Sequence, residues 1–215
     1  MAELGRMIGH LSHAIKSPLS VIEMDVDFMN QECHEKGCSN PILPVIQKEL
    51  KHIDYLIQEV LNYTRQNKLQ LIKLNIREKV ENIIRSIEPI LLSKQIKIIN
   101  KIEDRIIFAD SQKIHSLLLT LLDNSIYAIG ESGQIELFSE CDESSNLINV
   151  FMRDTGEGFD NPVYVFKPFY TTKSLGTGMG LAIAKNIIED HNGTIELISA
   201  EPGNTIFKIS IPLAN

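Results

Sequence analysis

Apolar side chains fall at Leu4, Ile8, Leu11, Ile15, Ile22, Val26 and Met29, in steps that mostly alternate four and three. That spacing predicts a helix buried along one narrow seam, from residue 2 to about residue 32. Ile46, Leu50, Ile53, Ile57 and Val60 repeat the pattern, and His34 to Pro41 between them is turn chemistry. The two runs predict an antiparallel helical hairpin over roughly residues 2–68. One hairpin buries little apolar surface. Two copies close a four-helix bundle, so a homodimer is expected; the alternative is a hairpin packed on its own C-terminal domain.

After Arg65-Gln66-Asn67-Lys68 the period changes. Leu69 to Ile76 reads as a strand, Arg77 to Lys94 as an amphipathic helix, and Ile96–Ile102 and Ile106–Ala109 as strands. Ser111 to Ile129 is a helix with an almost wholly apolar middle. Strands follow near 134–140 and 147–153, then a glycine-rich loop, a helix over roughly 179–191, and strands at Thr194–Ser199 and Thr205–Pro212. Neighbouring strands with tight turns predict antiparallel pairing, in a mixed sheet covered on one face by three helices. The expected fold class is therefore α+β: a helical hairpin over 1–68, then a two-layer α/β sandwich over 69–215.

Composition narrows the partners. Hydrophobic content of 43% and charged content of 23% suit a packed chain, and the net charge of −7 argues against a protein that wraps nucleic acid. No run approaches the roughly 20 apolar residues of a membrane helix, and no signal-peptide pattern opens the chain, so a cytoplasmic location is expected. Cys33, Cys38 and Cys141 make no even disulfide framework, and four clustered ligands for zinc are missing.

The last third carries the strongest chemistry. Asp154-Thr155-Gly156-Glu157-Gly158-Phe159 follows an apolar strand. Gly156 and Gly158 would let backbone approach a ligand, and Asp154 could accept a hydrogen bond from an exocyclic amine; alone, the run is equally a hairpin turn. A second cluster, Gly176-Thr177-Gly178-Met179-Gly180-Leu181, starts 22 residues after Asp154 and opens a helix, where exposed amides favour a phosphate. It is neither a Walker nor a dinucleotide-binding pattern. Between them, Phe166 to Lys173 offers aromatic anchors and a lysine able to reach a phosphate. Asn124, amid Leu117, Leu118, Leu119, Leu121 and Leu122, offers a hard carboxamide ligand for Mg²⁺, or is simply a hydrogen-bonded core amide.

In this order the elements resemble the N, G1, F and G2 boxes of the histidine-kinase catalytic domain, of the ATPase superfamily shared with gyrase, the Hsp90 chaperone and MutL. The resemblance spans roughly residues 70–215. It implies ATP and Mg²⁺ as cofactors, Asp154 as the adenine-binding carboxylate and Asn124 as the Mg²⁺ ligand. It makes Gly176, Gly178 and Gly180 the phosphate-side lid, with Thr172 and Lys173 in a short lid like that of nitrogen-regulatory and sporulation kinases. Thr120 stands four residues before Asn124, where the superfamily's hydrolases carry a water-activating glutamate, and this disfavours an ATP hydrolase.

His13-Ala14-Ile15-Lys16-Ser17-Pro18-Leu19 resembles the phosphoacceptor box of the same family. With Ile8 and Ile15 at heptad position a, His13 falls at f, on the solvent side, and Pro18 is expected to kink the helix just beyond it. The resemblance implies autophosphorylation of His13 and transfer to an aspartate on a response-regulator receiver domain. Ala14 replaces the family's acidic residue, and either autophosphorylation is slowed or a carboxylate such as Glu59 stands in. Ser17 replaces the asparagine or threonine that positions water for dephosphorylating the partner. The alternative reading is an ATP-binding dimeric scaffold or a phosphatase-dominant homologue. Neither a sensor nor a receiver segment is recognisable, which points to a fragment of a longer sensor or a kinase fed by a partner.

Overall fold

The computed structural model describes residues 2–35, 40–64, 68–173 and 176–214; the side chains of 2–14, 16, 17, 52, 55, 56, 58–60 and 62–64 lie outside the description. The chain divides into two units, residues 1–67 and 68–215.

In the first unit α1 spans Ala2–Glu35, continuing as helix through Pro18, and α2 spans Ile42–Thr64. Asn40 starts α2, its Oδ1 accepting from the Ile42 amide at 3.0 Å. Leu19 and Val26 of α1 bury against Leu43, Leu50 and Ile57 of α2, with Cys33 and Leu61 at the margin. Asp27 Oδ1 accepts from Gln47 Nε2 across the pair at 2.7 Å. The expected seam is therefore only partly used. Ile15, Ile22, Met29, Ile46 and Ile53 stay exposed, while Leu19 and Leu43, outside the expected seam, are buried. Two helices in contact cover a single stripe on each other, so a second apolar row remains open on both.

The second unit opens with β1 (Leu71–Asn75), α3 (Ile76–Ser93), β2 (Ile96–Lys101), β3 (Ile106–Asp110) and α4 (Ser111–Ile129). It continues with β4 (Gly133–Asp142), β5 (Leu147–Asp154), a single 3₁₀ turn at Pro162–Tyr164, α5 (Gly180–Asp190), β6 (Thr194–Glu201) and β7 (Asn204–Pro212). Local chemistry sets the helix starts. Asn75 accepts from the Glu78 amide at 3.1 Å, and Asp110 Oδ1 accepts from the Gln112 and Lys113 amides at 3.0 and 3.2 Å. Each such cap is worth about 1 kcal/mol.

The described fold is α+β, with a five-stranded mixed sheet in the order β2-β4-β5-β7-β6 and a separate two-stranded ladder of β1 and β3. Antiparallel pairing of sequence neighbours holds for β4–β5 and β6–β7. It fails for β2 and β3. β2 pairs parallel with β4, and β3 pairs with β1. The α4 crossover between β3 and β4 supplies the length that a parallel pair requires. Inward residues of the sheet (Ile135, Leu137, Val150, Met152, Phe207 and Ile209 among them) share one cluster with Val80 and Ile83 of α3, Leu117 and Leu121 of α4, and Ile187 and Ile188 of α5.

A buried polar tie fastens the end of α5 to the start of α4. His191 Nε2 accepts the Asp110 amide at 2.9 Å, and its Nδ1 lies 2.7 Å from the Ile187 carbonyl. Both bonds form with the neutral ring protonated at Nδ1. His191→Ala leaves a buried donor and acceptor unpaired, so urea denaturation should show a loss of about 2–3 kcal/mol. Exchange of the Asp110 amide should accelerate with it. An unchanged midpoint contradicts this account of the tie.

Candidate functional site

Strand parity places Asp154. Along β5, Ile148, Val150, Met152 and Asp154 all face inward, so the carboxylate ends a row of core side chains and is only 2% exposed. In the ladder it lies between Ile135 of β4 and Thr205 of β7. Its Oδ2 accepts from Ser125 Oγ of α4 at 2.8 Å, and its Oδ1 accepts from the Gly156 amide at 2.9 Å. Burial pushes the carboxyl up from its ordinary value, while the donors at Gly156, Ser125 and Thr205 favour the charge and oppose that rise. The Thr205 hydroxyl oxygen is buried without a hydrogen bond of standard geometry among the described residues. It faces the carboxylate closely enough to help hold its charge. A buried carboxylate and a buried hydroxyl side by side suit a polar ligand edge such as an aminopurine.

The loop after Asp154 is fastened on three sides. The Thr155 amide donates to Gln134 O, the Glu157 amide to Ala128 O, and the Phe159 amide to Ala200 O, at 3.2, 3.2 and 2.9 Å. Packing dictates both glycines here. A Cβ at Gly156 would sit 2.6 Å from Ala128 Cβ, and Gly158, at φ +76°, has the Ala200 carbonyl 2.3 Å from where a Cβ would be.

α4 presents a polar stripe at helical spacing: Thr120, Asp123, Asn124 and Tyr127. Asn124 is half-buried, and its Oδ1 accepts from Lys173 Nζ at 2.6 Å. The same ammonium lies 4.5 Å from the centre of the Tyr127 ring. Burial pushes the Lys173 ammonium down from its ordinary value, and Asp123 opposes this. Asp123 keeps much exposed surface, yet lost solvation on its protein-facing side pushes its carboxyl up, opposed by Lys173. A carboxamide oxygen already facing a cation has the donor chemistry that a hard divalent ion requires.

The segment before α5 is built on close backbone contact. Phe159 and Phe166 both pack edge-on against Phe207, with centroids 5.9 and 6.2 Å away, and so anchor its approach. Phe169 is exposed at φ +66°, and Thr172 is exposed. A Cβ at Gly178 would fall 2.5 Å from the Phe169 carbonyl carbon, and one at Gly176 would fall 2.8 Å from Lys173 Cβ. Gly180 begins α5, 3.1 Å from Thr120 Cγ2 by the same measure, and no side chain caps this helix.

Asn124, Asp154, Gly156 and Lys173 are thus drawn together by α4, through consecutive residues Asn124 and Ser125. His13 and Ser17 lie on α1, with their side chains outside the described residues, as are those of Ala14 and Glu59. The sequence reading missed Ser125, Thr205 and Tyr127. Ser125 was signalled as a second small polar residue in an apolar run; Thr205 depends on a strand pairing that no local pattern carries. No helix among the described residues is long and apolar enough to cross a membrane.

Residues 109–215 match the family model described as histidine kinase-, DNA gyrase B-, and HSP90-like ATPase. Sensor histidine kinase ZraS of Escherichia coli (strain K12) is 28% identical over 99% of this chain and 46% of its own length. The chain spans about half the length of such curated relatives. The catalytic domain of histidine kinase ThkA is 30% identical, covering 67% of this chain and 96% of that domain, with a TM-score of 0.61. ThkA solved with the response regulator protein TrrA aligns over 98% of this chain and 62% of its own, at 24% identity and a TM-score of 0.70. Full-length ShkA in complex with AMPPNP covers 98% of this chain and 46% of its own, at 19% identity and a TM-score of 0.80. These last two likenesses are of fold.

Protonation of Asp154 has a stability consequence of definite sign. A carboxyl whose folded pKa is raised stabilises the fold fully below its unfolded value and loses that contribution as pH rises through the folded value. At pH about 7 the buried charge is therefore a cost. In Asp154→Asn, the carboxamide oxygen takes the Gly156 amide and its NH₂ meets Ser125 Oγ. Urea midpoints should show this variant more stable than wild type at neutral pH, with the gain shrinking as pH falls toward the ordinary carboxylate range. A gain that grows on acidification is incompatible with this assignment.

Proposed function

The chain belongs to the histidine kinase family, and on that premise we propose that it binds ATP with Mg²⁺ and transfers the γ-phosphoryl group to its own His13. The observation that carries this reading is the buried Asp154 carboxylate, faced by the buried Thr205 hydroxyl and joined through Ser125 to the helix that presents Asn124. Asp154 receives the adenine amine, with Thr205 beside it. Asn124 holds the Mg²⁺, whose charge offsets that of the phosphates. Lys173 and the backbone at Gly178 and Gly180 leading into α5 face the phosphate chain, with Thr172 alongside and Gly176 closing the lid through its bond to the Lys173 carbonyl. Gly156 and Gly158 let the purine-side loop pack close to α4 and the β6–β7 turn.

In the transfer, a ring nitrogen of His13 attacks the γ-phosphorus; the P–N bond forms as the P–O bond to ADP breaks. The proton on the other ring nitrogen must then leave, and Ala14 offers no acceptor for it. General-base help is commonly worth about 10²–10⁴-fold, so autophosphorylation is expected to be slow unless a carboxylate such as Glu59 takes that role. The phosphoryl group then passes to an aspartate of a response-regulator receiver domain. Support for such a partner comes from the fold shared with ThkA, solved with its regulator.

Residues 1–68 are proposed as the dimerising and phosphotransfer hairpin, and 69–215 as the ATP-binding domain. The exposed rows Ile15, Ile22, Met29 and Ile46, Ile53 favour a second copy completing a four-helix bundle. The proposed compartment is the cytoplasm, where ATP and receiver domains are found. Ala14 favours a second reading, an ATP-binding scaffold or a phosphatase-dominant homologue in which Ser17 orients water toward the regulator's phosphoaspartate.

Incubation with Mg²⁺ and γ-labelled ATP should place acid-labile, alkali-stable label on wild type, and none on His13→Gln. Asp154→Asn should lose both label and ATP binding. ATP binding by wild type without label promotes the scaffold or phosphatase reading. Label on His13→Gln equal to that on wild type rejects His13 as the acceptor. In the phosphatase reading, Ser17→Ala should slow regulator dephosphorylation while leaving ATP binding intact.

A further inference from the structure

The geometry points to Lys173 and a divalent cation as competitors for the Asn124 carboxamide on α4, so that Mg²⁺ works against Lys173 at this atom when ATP is loaded. This rests on the reading of Asn124 as the Mg²⁺ ligand.

Three observations carry it. Asn124 Oδ1, the atom proposed to meet the metal, already accepts a short hydrogen bond of 2.6 Å from the Lys173 ammonium. That ammonium is held on other sides as well, 4.5 Å from the Tyr127 ring centre and within the field of Asp123. Asn124 and Tyr127 are three residues apart on one helix face, so α4 itself builds this clamp. The loop then aims the lysine into it. The Lys173 amide donates to Thr171 Oγ1 at 3.0 Å, and the Lys173 carbonyl accepts from the Gly176 amide at 3.1 Å. Gly176 has no room for a side chain against Thr171 and Lys173, so the turn that presents the ammonium demands a glycine.

On the two lone pairs of one carboxamide oxygen, an ammonium 2.6 Å away and a magnesium ion at about 2.1 Å would stand about 4 Å apart, where the like charges repel. That repulsion favours exchange of one cation for the other. In the nucleotide-free chain Lys173 holds the position and spares the half-buried carboxamide an unsatisfied oxygen. With Mg²⁺ and ATP present, the ammonium released from Asn124 keeps Asp123 and the Tyr127 ring as neighbours. Lys173 thus sets how strongly ATP binding depends on Mg²⁺.

The test is calorimetric binding of ATP in EDTA and across a series of free Mg²⁺ concentrations, for wild type, Lys173→Gln, Asn124→Ala and the double variant. The readout is the gain in ATP affinity that Mg²⁺ confers. Without its competitor, Lys173→Gln should show that gain enlarged on the order of tenfold, the worth of one charge-assisted hydrogen bond. In the Asn124→Ala background the same substitution should change the gain by less than about twofold. Circular dichroism melts confirm that each variant is folded. An unchanged gain in Lys173→Gln overturns the inference, as does an enlargement that persists without Asn124, which would mark a general field effect. Wild type that binds no ATP in either condition removes the proposed function as well. ATP binding with an unaltered gain removes only the competition.

Discussion

Burial of the Asp154 carboxylate is the constraint around which the second unit is organised. The charge sits at the inward end of a strand, in line with Ile148, Val150 and Met152, where it costs stability unless donors surround it. Those donors come from its own turn at Gly156 and from Ser125 on α4, so neither the turn nor the helix can shift without exposing the cost. Thr205, across the ladder, brings a buried hydroxyl toward the same carboxylate.

α4 transmits that constraint. Its inward face is packed with Leu117, Leu118, Leu121 and Leu122, and its outward stripe carries Asn124 and Tyr127. Because Asn124 and Ser125 are consecutive, the helix that secures Asp154 also fixes the carboxamide that meets Lys173. The two ends of the proposed nucleotide site are thereby set by one rigid element, which holds their separation better than two loops could. The glycines serve the same end in a less expected way. Gly156 and Gly158 make room for Ala128 and the Ala200 carbonyl, and Gly176 and Gly178 for the chain between Phe169 and Lys173. Their freedom from side chains is spent on protein packing as much as on any ligand.

The first unit shows a different economy. Among the described side chains its two helices bury one stripe, through Leu19, Val26, Leu43, Leu50 and Ile57, and leave Ile15, Ile22, Met29, Ile46 and Ile53 exposed. Exposed apolar rows on both helices favour the assembly in the proposed function.

The order and type of most elements were legible in the sequence, because hydrophobic period and capping residues are local. Asn75 and Asp110 mark their helix starts, and the apolar run of α4 declares a buried helix. Asn124, Asp154 and the glycine clusters stood out as polar or conformationally free residues in apolar surroundings. What the sequence did not reveal was decided by contacts between distant segments. The parallel pairing of β2 with β4 depends on the crossover through α4, and the approach of Thr205 to Asp154 on β7 lying beside β5. The choice of Leu19 over Ile22 for burial follows from which stripe α2 covers. The meeting of Lys173 with Asn124, 49 residues apart, needs the loop before α5 folded back onto α4. Periodicity reports which face of an element is apolar; only the assembled structure decides which partner that face, or a lone polar atom on it, will meet.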